Sequence, residues 1–166
     1  MKRALFPFAL VFISAILFSS CFSFTPTIRN NFSELPARES AVVLFDNADN
    51  TVFLIKKCNG VDVDKSLYSL FEFLNNNKYR TELTVPPGEN SFRFTFIFTY
   101  KRFLFTTVIK RENIELQYNL AAGNKYIVKA RNIVTKSGNS TLLEHYIGIY
   151  PDVRNSEPLR EWRLEF

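Results

Sequence analysis

Few side chains in this chain could do chemistry, and their types narrow what that chemistry is. There is one histidine, His145, and there are two cysteines, Cys21 and Cys58. One imidazole cannot build a multi-histidine metal site, and the cysteines form no Cys-x-x-Cys pair, so no metal ligands and no cofactor are expected. No glycine-rich loop leads into a helix to cradle a phosphate, and no serine sits in a hydrolase-type nucleophile elbow. A catalytic thiol at Cys58 would need a base, and His145 is the sole histidine to supply one. An inert Cys58 facing the core is the simpler reading. A Cys21–Cys58 disulfide is open only to an exported protein whose Cys21 carries nothing else. Asp62 and Asp64, with His145, would make an envelope hydrolase site if the fold brought all three within hydrogen-bond reach. Two carboxylates spaced i, i+2 on a strand edge are ordinarily solvated, so no catalytic residue is assigned. Lys101-Arg102 and Lys110-Arg111 read as charged turns that could also meet anionic headgroups or an acidic envelope partner.

The densest chemical information lies at the start of the chain. Lys2 and Arg3 precede an uncharged apolar run over residues 4–18, and Ser19, Ser20 and Cys21 follow. The run is shorter than the roughly 20 residues that span a bilayer and is interrupted by Pro7. A positive start, a short apolar middle and small residues at the end describe a cleaved secretory signal over residues 1–20. Leu17-Phe18-Ser19-Ser20-Cys21 also resembles a bacterial lipobox, with Phe18 where that family usually has an aliphatic residue. The resemblance implies that Cys21 is diacylated at sulfur and becomes the new N-terminus. Each buried acyl CH₂ contributes roughly 0.8 kcal/mol, so two or three chains anchor the protein stably in a lipid bilayer. Phe22, not Asp, follows the cysteine, which by the same resemblance favours the outer over the inner membrane of the cell envelope.

The elements that must position these residues read as strands. Removing residues 1–20 leaves about 146, one ordinary domain, with the formal charge falling from +5 to about +3. That charge is too mild to argue for nucleic acid. The 18 Phe and 7 Tyr favour strands and supply ample apolar bulk for a sealed core. Residues 21–40 carry Pro26, Pro36 and Asn30-Asn31 without periodicity and read as a flexible tether. Residues 41–45 and 51–58 read as strands, and Asn59-Gly60 is a strong hairpin signal. Leu67, Leu70, Phe71 and Leu74 fall at i, i+3, i+4 and i+7, which predicts a short helical crossover over residues 64–78. The clearest period-2 pattern is Phe92, Phe94, Phe96, Phe98 and Tyr100, all on one face of a strand. That stripe suits a core better than a binding platform, because burying such rings contributes roughly 1.5–3 kcal/mol each. Lys101-Arg102 and Lys110-Arg111-Glu112 read as turns. Strands over residues 114–120, 126–130 and 141–150 follow, and a charged tail over residues 151–166 carries the sole Trp, Trp162. That tail has the composition to pack back across a sheet edge.

The expected fold is all-β: a single antiparallel β-sandwich of about seven strands over residues 41–150, with one short helical crossover. Val85-Pro86-Pro87-Gly88-Glu89-Asn90 and Leu120-Ala121-Ala122-Gly123-Asn124-Lys125-Tyr126 resemble the turn-and-strand rhythm of PEGA-like and transthyretin-like (carboxypeptidase-regulatory-like) domains of bacterial lipoproteins. Asn59 and Asn90 stand where that rhythm usually has Asp and His. The resemblance implies a fold rather than an activity and carries over no catalytic residue. The function expected is a membrane-anchored, non-enzymatic envelope lipoprotein that binds a protein or glycan or serves structurally. A hydrolase built on Asp62, Asp64 and His145, or a small-ligand carrier with a β-barrel cavity, is the alternative.

Overall fold

The computed structural model describes residues 27–47, 50–64, 79–102, 105–137 and 140–165. The expected signal, Cys21 and the expected crossover at 64–78, apart from Asp64 itself, lie outside them. Ten strands follow in order: β1 (Thr27–Asn31), β2 (Ala41–Asp46), β3 (Thr51–Cys58), β4 (Val61–Asp62), β5 (Arg80–Val85), β6 (Gly88–Arg102), β7 (Phe105–Leu120), β8 (Lys125–Ser137), β9 (Ser140–Pro151) and β10 (Arg160–Leu164). They form a six-stranded sheet in the order β1-β5-β2-β8-β9-β10 and a four-stranded sheet in the order β4-β3-β6-β7. The all-β two-sheet sandwich is therefore as expected. The larger sheet is mixed, however, because β1 runs parallel to β5 and β2 parallel to β8.

The aromatic stripe of β6 fills the space between the sheets. Phe92, Phe94 and Phe96 are fully buried and Phe98 nearly so. Phe45, from β2 of the opposite sheet, packs at ring centroid distances of 5.9, 5.7 and 5.8 Å against Phe53, Phe92 and Phe94. These edge and tilted contacts add roughly 0.5–1.5 kcal/mol per pair to the area buried. The interior is thus occupied by interlocked rings.

Turn chemistry closes the hairpins. Asn59 and Gly60 both have positive φ, 50° and 80°, as a two-residue β3–β4 turn requires. Asn59 then pins this turn to β6: its Nδ2 donates to Asn90 Oδ1, and its Oδ1 accepts the Ser91 amide, each at 2.8 Å. Buried Asn90 donates to the Pro86 and Gly88 carbonyls at 2.9 Å. At Gly123 (φ 70°) a Cβ would stand 3.0 Å from the Arg38 carbonyl, so the turn needs glycine for space as well as φ.

Two expectations are corrected and a third is met. Within the tether expected over 21–40, Thr27–Asn31 form β1, which joins the sheet beside β5 and buries Ile28. The turns expected at Lys101-Arg102 and Lys110-Arg111-Glu112 are strand. β6 runs on through Arg102, and β7 passes 110–112 without reversing. The register slips between Phe94/Ile114 and Phe96/Arg111, which inserts one extra residue as a β-bulge, with Asn113 at φ 55°. Finally, the tail does cover a sheet edge, as strand β10 antiparallel to β9. Arg131 clamps it by a two-pronged contact with Glu161 at 3.0 and 2.6 Å, and Arg163 reaches Glu144 at 2.6 Å.

Candidate functional site

The residues singled out by type do not gather in one place. His145 sits on β9 in the closed core, 1% exposed, against the rings of Phe96 and Phe98. Its Nδ1 is 2.7 Å from Asn132 Oδ1, and Asn132 Nδ2 donates to Thr51 Oγ1 on the opposite sheet at 2.9 Å. Because the amide nitrogen is committed to Thr51, the amide oxygen must accept, so Nδ1 of His145 carries the proton. Burial pushes the imidazole's pKa down, favouring the neutral form. Asp62, on edge strand β4, is exposed and lies 3.9 Å from Lys57. Exposed Asp64 follows it, its amide donating to Asn30 Oδ1 at 3.2 Å. An exposed edge on one side of the sandwich and a sealed core position on β9 do not make an acid–base site.

Cys58 is a free thiol with no exposed surface, and burial pushes its pKa up to about 12. Such a thiol stays protonated at neutral pH and is a poor nucleophile. Among the described residues no group of three or more His, Cys, Asp or Glu could hold a metal ion. Cys21 lies outside the described residues.

The geometry instead shows a groove that residue types alone did not flag. β7 is the edge strand of the smaller sheet and β10 that of the larger one. Residues of both line an open groove of about 720 Å³. Glu89, Glu115, Gln117, Tyr118 and Asn119 line one wall and Arg160 and Trp162 the other. The Arg160 guanidinium lies over the indole, 4.9 Å from its ring centre, and steadies it. Tyr118 is braced edge-on by Tyr126 at 6.2 Å. Hydrogen bonds from Arg93 and from Gln117 hold the Glu115 carboxyl below its ordinary pKa, so it is charged at neutral pH. Two amphipathic rings, two side-chain amides and charges of both signs suit a hydroxyl-rich ligand with apolar faces better than a bare anion. The sequence signals were slight: an alternating Glu115-Gln117-Asn119 that looks like any solvated strand face, and a single Trp in a charged tail.

Fold and groove together define an all-β sandwich with a polar, aromatic-flanked edge groove. No family model, no curated protein and no solved structure matches the chain.

Proposed function

We propose that this protein is a membrane-anchored envelope lipoprotein that holds a glycan chain in its edge groove without transforming it. In this reading residues 1–20 are removed, Cys21 carries the lipid, and the outer membrane is its site. The PEGA-like and transthyretin-like resemblance supports a non-enzymatic role. So does the separation of Asp62 and Asp64 from His145, and the ring-filled interior argues against a β-barrel carrier.

The observation that carries the glycan reading is the pairing of Trp162 and Tyr118 with Glu115, Gln117 and Asn119 around one open groove. Rings cover the C–H faces of a sugar while amides and carboxylates take its hydroxyls. Because Trp162 is the sole Trp, its fluorescence reports the groove directly. Amino-sugar oligosaccharides of the kind that make up bacterial wall strands are expected to shift that emission saturably. Tyr118→Ala is expected to weaken their binding at least tenfold. Emission unmoved up to millimolar oligosaccharide would end the glycan reading. Growth on a fatty-acid analogue, with Cys21→Ser as control, tests the anchor separately: native protein should take up label and the variant none.

A further inference from the structure

The end of the sandwich at which the chain joins the sheet carries four of the eight large exposed apolar side chains among the described residues, and it differs from the opposite end in having no acid beside them. Thr27, the first residue of β1, pairs with Arg80, which pairs with Asp46 at the end of β2. Two hairpin ribbons run past this level. β6 leaves β3 at Phe98 and continues to Arg102 with only β7 beside it. β8 leaves β2 at Val128 and continues to Ser137 with β9 beside it. At about 3.3 Å per residue the free lengths are about 13 and 30 Å.

Both ribbons expose apolar side chains that no packing accounts for. Phe105 is 75% exposed, Val108 60% and Leu142 58%, and Val134 is also open. Neither 99–110 nor 133–143 contains an Asp or Glu, whereas Lys101, Arg102, Lys110 and Lys136 fall within them. Large exposed apolar groups beside cations with no acid among them match the boundary of an anionic bilayer, where rings enter the interface and ammonium groups meet phosphate.

The length of chain that precedes β1 decides the occupant. Only six residue steps separate Cys21 from Thr27. Fully extended, they reach about 20 Å. A lipid on Cys21 therefore holds the ribbon end within reach of the headgroups. We infer that this end, through Phe105, Val108 and Leu142 with Lys101 and Lys136, docks on the surface of the bilayer that holds the lipidated Cys21. This rests on the anchoring reading above and adds an orientation to it: ribbons down, with the opposite end, at Gly88 and Val153, away from the lipid.

The test uses the lipidated full-length mature protein in vesicles of phosphatidylethanolamine and phosphatidylglycerol. Single cysteines replace Phe105, Leu142 or, at the opposite end, exposed Val153 (F105C, L142C, V153C) and carry a nitroxide; buried Cys58 does not compete for the label. Labels at 105 and 142 are expected to relax several-fold faster with oxygen than with a water-soluble nickel complex, and the label at 153 to do the reverse. Mass spectrometry of the N-terminal peptide in the same sample reports acylation. Acylated Cys21 with labels at 105 and 142 as wet as at 153 overturns the docking and leaves the anchor standing. An unacylated Cys21 on protein that stays in solution overturns both. Labels that are wet on vesicles but shielded in native envelope fragments assign the ribbons to a protein partner and overturn the bilayer docking.

Discussion

His145 shows how one residue's environment decides between chemistry and structure. An imidazole shared among Phe96, Phe98 and Asn132 is a neutral donor within the core, and burial holds its pKa below the ordinary value. In the unfolded chain the same ring titrates at about 6.5. Protons then bind the unfolded state more readily, so stability is full above that pH and falls as pH drops towards the depressed native value. The urea midpoint of the native protein is expected to decline between pH 7.5 and 5, more steeply than that of His145→Gln. Parallel declines would show that other groups set the acid response. Cys58 makes a matching kinetic prediction. With no exposed surface and a thiol near pKa 12, it should resist thiol reagents in native buffer at pH 8 and react at once in denaturing urea. Rapid native labelling would mean that edge strand β4 comes away from Cys58. Cys58 was legible as an inert core thiol because a lone cysteine in an apolar strand has few other uses. The neutral, Asn-bonded state of His145 was not, since Asn132 is 13 residues away and Thr51 on the other sheet.

At the scale of elements, the two asparagines that join the β3–β4 turn to β6 hold the smaller sheet in register. Asn90 is buried and satisfies the Pro86 and Gly88 carbonyls as well as Asn59. Asn90→Leu leaves those partners without their donor or acceptor, and the expected cost is about 1–3 kcal/mol, read as a lower urea midpoint. Asn59→Gly keeps the positive φ but loses both side-chain bonds, so it should cost less than Asn90→Leu and more than an exposed-site change. Equal midpoints for all three proteins would show that the bonds carry no net stability. The local turn signals were legible because they depend on neighbours in sequence: Asn59-Gly60, Pro86-Pro87-Gly88 and the Gly123 turn all close where the residues said. Lys110-Arg111-Glu112 misled because a charge run at a β-bulge has the composition of a turn. The parallel partners of β1 and β2 were illegible for another reason. They lie some 50 and 80 residues away in sequence, and alternation along a strand does not name its neighbour. The groove was hidden likewise, since β7 and β10 each show an ordinary polar face and only the packing of the two sheets brings them together.

Among the described residues, Phe105 stands apart from the phenylalanines of the core. Phe45, Phe53, Phe92, Phe94 and Phe96 interlock between the sheets with no exposed surface. Phe105 stands 75% open on a ribbon beyond them. A domain of this size has a net stability of about 5–15 kcal/mol, and truncating a buried Phe costs about 3–5. Phe45→Ala, which removes the ring that three others contact, should therefore consume a fifth or more of the stability, and urea unfolding followed through Trp162 should show it. Phe105→Ala should change the same midpoint by no more than about 0.5 kcal/mol, as exposed changes do. The contrast matters because a ring this exposed, on a ribbon end without acids and at the end of the sandwich where β1 begins six residue steps after Cys21, has its use outside the fold. If Phe105→Ala destabilised the protein as a core substitution does, the ribbon end would belong to the sandwich, and the case for its meeting the bilayer would lose its footing.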